Sequence, residues 1–338
     1  VDMKRYLTGL ISLVLLVAAL AGCGGSNREG GASPTASVSS PASASPAASP
    51  SASEPSKETQ YPLTVKDATG ESFTFDRAPE RIVSTSPAET EILFALGLGD
   101  QVVGVSDFDN YPEEATQKQK VGSIMKPNEE TLVSLKPDLV ITGISMPEDV
   151  VTKLRSLGLK LYKTDPKSID DVMNNILQIG KITNRQQEAE ALVDSMKKDV
   201  ARVTEAVAGV KEEDKKKVYV EFAPGWTVGK GEFMDELITL AGGINVAGDT
   251  EGWNQINEET IVQKDPDVIL FTLGVTDSES GKTLEEIIRG RSGWDQIKAI
   301  KDNRVIGLDQ DVLSRPGPRI TQGLIDVAKA IYPDLVKE

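Results

Sequence analysis

Asn128-Glu129-Glu130-Thr131-Leu132-Val133-Ser134-Leu135-Lys136-Pro137-Asp138-Leu139-Val140-Ile141 has a counterpart later in the chain, Asn257-Glu258-Glu259-Thr260-Ile261-Val262-Gln263-Lys264-Asp265-Pro266-Asp267-Val268-Ile269-Leu270. The two align without a gap: Asn-Glu-Glu-Thr, two apolar residues, then Pro-Asp and an apolar run of strand character. A unit that occurs once in each half of the folded part predicts two related lobes. In each copy the asparagine can cap a short helix, and the glutamates fall in its first turn, near the positive end of the helix dipole. Taken singly, such acids are ordinary helix-start residues. Placed symmetrically, Glu130 and Glu259 become candidates for docking onto a pseudo-symmetric partner.

Outward from the first copy, strands and helices alternate. Arg81-Ile82-Val83-Ser84-Thr85 reads as a buried strand, and Ser86-Pro87-Ala88-Glu89 as the opening of a helix. Ser86 would cap it, Pro87 fits the first helical position, and Glu89 would complete a capping box. Residues 102–105, 138–142 and 160–163 read as strands and 150–157 as a helix. Around the second copy, strands at 217–221, 267–271 and 304–308 alternate with helices at 233–241, 284–289 and 321–332. This alternation predicts a mostly parallel sheet in each lobe. Between the two sets, Ala189, Leu192, Val193, Met196, Val200, Val203 and Val207 recur on one helical face. They predict a helix over 185–208 capped by Asn184, about 36 Å long at about 1.5 Å per residue. The fold class is therefore α/β: two Rossmann-like lobes, over 61–166 and 211–338, with a helical segment at 167–210 whose long rigid helix joins them. Such a connection predicts modest closure on a ligand.

The N-terminus reads as an address. Lys4 and Arg5 precede an apolar run from Leu10 to Leu20, which ends in Leu20-Ala21-Gly22-Cys23. The run has the length of a signal-peptide core, and the tetrapeptide resembles the bacterial lipobox. Residues 1–22 would be removed and Cys23 lipidated, with several acyl chains giving stable membrane attachment. Residues 23–60 are rich in Ser, Ala and Pro and have almost nothing to bury, so they read as a disordered tether. At about 5–6 Å × √n, its length reaches roughly 30–35 Å. This places the folded part on the extracellular face of a membrane, and a tether of this length suits a Gram-positive wall.

Composition removes several classes of function. Of the 338 residues none is histidine and one is cysteine, and the formal charge is −15. The missing imidazole removes Ser-His-Asp and Cys-His catalysis and the commonest zinc ligand. Acidity argues against nucleic acid, which requires a basic face. Gly229-Lys230-Gly231 lacks the spacing of a phosphate loop. No enzyme, protein-bound metal or cofactor is expected; any metal would arrive already chelated. A surface sensor or adhesion module is the remaining alternative to a binding protein.

Residues 81–91, Val103-Gly104-Val105-Ser106-Asp107-Phe108-Asp109-Asn110-Tyr111-Pro112, Leu135-Lys136-Pro137-Asp138-Leu139-Val140 and Leu240-Ala241-Gly242-Gly243-Ile244-Asn245-Val246 together resemble the Fe/B12 periplasmic-binding domain family, over about residues 62–335. The resemblance implies the class III periplasmic-binding-protein fold, with a ligand cleft between the lobes. It implies a solute-binding protein, monomeric, that serves an ABC permease dimer and its ATPase. Its ligand would be a ferric siderophore, haem or cobalamin. By position, Glu130 and Glu259 correspond to the family's glutamates that pair with permease arginines. Trp253, Asp311 and Arg315, with Arg319, resemble ligand contacts of the cobalamin branch, and Phe108 or Tyr111 falls near a tyrosine contact. The chain departs from that branch near Ile124 and Ile144, where tryptophans line the cleft. An anionic ferric siderophore would instead use Arg315, Arg319 or Arg291 as counter-charges. Trp226, bracketed by glycines after a strand, is a further candidate of the kind that large flat ligands need, whereas Trp294 reads as structural.

Overall fold

The computed structural model describes residues 58–336. The signal segment, Cys23 and the tether through residue 57 lie outside the described residues. The first lobe opens with an antiparallel hairpin, β1 (Leu63–Lys66) and β2 (Ser72–Phe75). There follow β3 (Ile82–Ser84), α1 (Pro87–Ala95), β4 (Val102–Val105), α2 (Glu113–Thr116), α3 (Glu129–Ser134), β5 (Leu139–Thr142), α4 (Glu148–Ser156) and β6 (Leu161–Lys163). Two helices come next, α5 (Ile169–Thr183) and α6 (Gln186–Val207). The second lobe contains β7 (Lys217–Glu221), β8 (Trp226–Val228), α7 (Phe233–Leu240), β9 (Ile244–Asn245), β10 (Trp253–Gln255), α8 (Glu258–Lys264) and β11 (Val268–Thr272). It ends with α9 (Leu284–Gly290), α10 (Lys298–Lys301), β12 (Val305–Leu308), α11 (Gln310–Ser314) and α12 (Ile320–Ile331).

Both main sheets are parallel throughout, ordered β4-β3-β5-β6 and β12-β11-β7-β9. Matching β3 with β7, β4 with β9, β5 with β11 and β6 with β12 makes the two orders identical. The repeat is therefore one of topology as well as sequence.

The repeated residues do the same work in each copy. Asn128 Oδ1 accepts from the Thr131 amide at 2.8 Å, and Asn257 Oδ1 from the Thr260 amide at 3.0 Å, starting α3 and α8. Past each helix, the Pro-Asp aspartate fixes the neighbouring strand. Asp138 Oδ2 accepts the Glu80 and Arg81 amides at 3.0 Å ahead of β3, and Asp267 Oδ2 accepts the Lys217 amide at 2.9 Å at the start of β7. Replacing either capping asparagine with alanine should cost about 1 kcal/mol, measured as a lowered urea midpoint.

The connection differs from expectation in one respect. Asn184 does not cap the second helix; at φ 55° and ψ 47° it ends the first, and Arg185 stands at the start of α6 without a side-chain cap. Asparagine tolerates this left-handed turn better than most residues, so the chain reverses and α5 packs against α6. A Cβ at Gly180 would sit 2.6 Å from that of Ala189, so the two helices approach at a distance only glycine permits.

These helices knit the lobes together. Ile169, Val172, Ile176 and Ile179 of α5 belong to one continuous core with Ile82, Leu93 and Tyr162 of the first lobe and Phe233, Leu237 and Leu270 of the second. At its start α5 touches the second lobe, where the Ile169 amide donates to Glu236 at 2.6 Å and Lys167 pairs with Glu232 at 3.1 Å. Its end holds the segment leading into the first lobe, through the Tyr61 hydroxyl on the Ile182 carbonyl at 2.8 Å. A smaller core in the second lobe surrounds Trp294, which is fully buried and meets Tyr219 edge-on at 5.7 Å.

Candidate functional site

Ligands of open parallel sheets bind beyond the carboxyl ends of the strands. Here those ends face one another across the lobes. A cavity of about 360 Å³ lies between them, walled by Ser86, Glu89 and Phe108 after the first-lobe strands, Ile144 after β5, and Gln310 and Arg315 after β12. A second, larger hollow of about 730 Å³ lies on the flank, bordered by Phe94, Tyr111, Leu192 and Arg319. It borders the C-terminal part of α1 rather than strand ends, so the interlobe cavity is the candidate site.

Between the two hollows runs a polar bridge across the lobes. Glu91 of α1, 3% exposed, takes both Nε and Nη2 of Arg319 at 2.8 and 2.6 Å, and Nη1 of Arg315 at 3.2 Å. Arg315 also donates to Asn110 Oδ1 at 2.7 Å and pairs with Asp311 at 2.8 Å, while Asn110 Nδ2 donates to Asp311 at 2.9 Å. Arg319 lies 4.1 Å from the centroid of the Tyr111 ring. The hydrogen bonds that Arg319 donates to Glu91 raise the pKa of its guanidinium above the ordinary value.

The structure thus brings Phe108, Asp311 and Arg315 to the wall of the cavity, and Tyr111 and Arg319 to the flank beside it. Phe108 and Tyr111 are exposed at the junction of the lobes. Trp226 and Trp253 stand on the paired strands β8 and β10 and do not border that cavity. Trp226 is exposed; Trp253 packs edge-on against Phe222 and Phe233 at 5.0 and 5.6 Å. Arg291 is committed within the second lobe, holding Glu221 through two bonds of 2.5 and 2.6 Å and Glu258 at 3.0 Å. The Gly229 and Lys230 amides donate to the Gly252 and Thr250 carbonyls at 2.8 Å, so they do not form an anion cradle.

The capping box expected at α1 is absent. Ser86 makes no side-chain cap, and Glu89 turns inward instead of reaching back to the helix start. Its Oε1 accepts from Thr164 at 2.5 Å, and burial pushes its pKa up. Sequence reading missed Glu89 as a cleft residue for this reason, and missed Ser86, Ser145 and Gln310 with it. Their signal was position alone: each follows the carboxyl end of a strand.

The two repeated tips share a division of labour. Glu129 is tied to its own lobe by Lys153 at 2.5 Å, and Glu258 to its own by Arg291 at 3.0 Å. The second glutamates, Glu130 and Glu259, are exposed, and among the described residues neither has an ion-pair partner.

Two parallel α/β lobes, fused through long helices around a cleft at their strand ends, define a class III solute-binding protein. The chain belongs to the periplasmic binding protein family, whose model matches residues 82–312. It is 38% identical over 289 residues to an ABC transporter substrate-binding lipoprotein, YvrC, of Bacillus subtilis, covering 83% of this chain and 89% of that one. It is 32% identical over 278 residues to a cobalamin-binding protein of Halobacterium salinarum, covering 80% of this chain and 74% of that one. Among solved structures, the periplasmic heme-binding protein RhuT of Roseiflexus superposes with a TM-score of 0.67 at 28% identity, over 75% of this chain and 98% of that one. The chain is accordingly a binding protein of an ABC-transporter system and not an enzyme.

Proposed function

We propose that this protein captures a metal chelate of the ferric siderophore, haem or cobalamin type between its lobes and delivers it to the permease of an ABC importer. The observation that carries this reading is the interlobe cavity at the strand ends, together with two repeated helix starts that each present one exposed glutamate without an ion-pair partner among the described residues. Phe108, Asp311 and Arg315 would meet the ligand on the wall, with Tyr111 and Arg319 on the flank beside it, and Trp226 and Trp253 would be reached by a ligand that extends beyond that wall. Glu130 and Glu259 would dock on permease arginines, which suit carboxylates through paired hydrogen bonds. The protein would work as a monomer, lipid-anchored at Cys23 on the outer face of a Gram-positive membrane. At about 360 Å³ the cavity stands near the lower end of the range for ligand pockets. A large chelate therefore requires the lobes to part, breaking the bridges from Glu91 and Asn110 to Asp311, Arg315 and Arg319.

Tryptophan fluorescence of the full chain tests the reading. Trp226 and Trp253 should report saturable, sub-micromolar binding of one chelate from a panel of cobalamin, cobinamide, haem and ferric siderophores. Failure of every chelate to bind would overturn it.

A further inference from the structure

Two strand-end loops of the first lobe reach the cavity wall. The loop after β4 carries Phe108 and Asn110, and the turn after β5 carries Ile144 and Ser145. Each is gripped by one lysine that does not itself line the cavity.

Lys163, at the end of β6 and 7% exposed, donates to the carbonyls of Gly143 at 3.0 Å, Ile144 at 3.4 Å and Met146 at 2.8 Å. An ammonium has three N–H donors, and here all of them close on one turn. The same turn is pressed against the start of α1. A Cβ at Gly143 would stand 2.6 Å from Glu89 Oε2 and 2.7 Å from Ser86 Oγ. Lys120 treats the other loop alike, donating to the carbonyls of Ser106 at 3.1 Å and Asp109 at 3.0 Å. Within that loop the Ser106 hydroxyl meets Asp109 Oδ2 at 2.5 Å.

Other lysines hold carbonyls too, but Lys118, Lys160, Lys217 and Lys264 each hold one. Among the described residues, the lysines that gather several carbonyls of one loop stand at these two cleft loops. Keeping an ammonium at residue 163 is costly. Burial draws its pKa below the ordinary value, against the pull of the Asp165, Glu89, Glu148 and Asp67 carboxylates. A methionine would fill much the same space without desolvating a charge, but could not draw three carbonyls to one point. A loop already ordered spares the ligand the cost of ordering it.

We infer that Lys163 and Lys120 are positioning residues of the binding site: without touching the ligand, they hold Ile144, Ser145, Phe108 and Asn110 in the shape that receives it. The inference rests on the functional reading above and adds the residues that set its wall.

The test titrates cyanocobalamin, haemin and ferrichrome into the full chain, followed by tryptophan fluorescence, and carries forward each probe that binds. Lys163→Met should weaken such a probe about tenfold, and Lys120→Met, at a less buried site, about threefold. Lys163→Ala should lose as much as Lys163→Met. Millimolar propylammonium chloride, which replaces the missing atoms, should restore most of that loss, and sodium chloride of equal strength should not. Lys160→Met removes one carbonyl contact, to Thr74 at the opposite end of β6, and should leave affinity unchanged. A lysine that only braced the fold would lower the urea midpoint and leave the affinity of the folded protein alone. That result, or a loss that propylammonium does not repair, overturns the inference and leaves the functional reading intact. Should both Lys163 variants fail to fold, the affinity of Lys120→Met decides. Binding of none of the three probes, or of any wider panel, removes the functional reading and this inference with it.

Discussion

Replacing both Glu130 and Glu259 with alanine should abolish ligand uptake through the importer while leaving the ligand's affinity for the isolated protein unchanged. Both side chains are exposed, lie outside the cavity wall and have no ion-pair partner among the described residues, so their loss should cost almost nothing in folding. What they would lose is a pair of charge-assisted contacts with the permease. Removing one member of such a desolvated pair commonly costs about 2–5 kcal/mol, and two such losses exceed what a transient complex can spare. Uptake by cells or vesicles holding the cognate permease gives the transport arm, and fluorescence titration gives the affinity arm. The adjacent glutamates supply the control. Glu129 and Glu258 are anchored to Lys153 and Arg291, and alanine at either should leave uptake largely intact. Uptake that survives the double variant would sink the docking assignment.

Glu91→Ala should produce the largest loss of stability of any single change at the cleft. The carboxylate is almost fully buried and answers two arginines at once, so its removal leaves both short of a counter-charge. Breaking buried pairs in this way costs about 3–5 kcal/mol. The value should fall near the low end, about 3 kcal/mol, because the arginine side chains keep 16% and 26% of their exposure and retain Asp311. Urea denaturation would measure it. Adding Arg319→Met to Glu91→Ala should recover part of the loss, since it removes one of the stranded cations. A midpoint that does not move in Glu91→Ala would show that the interlobe bridge contributes nothing to folding.

Much of this architecture was legible in the sequence because it is local. The Asn-Glu-Glu-Thr caps and the Pro-Asp turns act within a few residues of themselves, and they give the two lobes, the direction of the strands and the placing of Glu130 and Glu259. The apolar stripe from Ala189 to Val207 gave the long helix. Its boundary was misread because Asn184 suits both the start of one helix and the left-handed end of another, and only the packing of α5 on α6 decides between them. The cleft was harder to read for the same kind of reason. Arg315 and Arg319 look like free counter-charges in sequence, and their partner Glu91 is more than two hundred residues away. Glu89 follows the helix-capping pattern yet turns inward, because Thr164, brought beside it by β6, offers the hydroxyl it binds.

The core that passes from one sheet to the other through α5 and α6 has a consequence for how the protein comes apart. Over the described residues, 58–336, both lobes belong to one compact unit. Neither lobe can melt without stripping the apolar faces of the two helices that the other also covers. A differential scanning trace should therefore show one endotherm rather than two, with calorimetric and van't Hoff enthalpies in agreement. By the same reasoning, a chain cut between α6 and β7 should yield two insoluble halves, since each would expose to water the surface that the intact molecule holds in common.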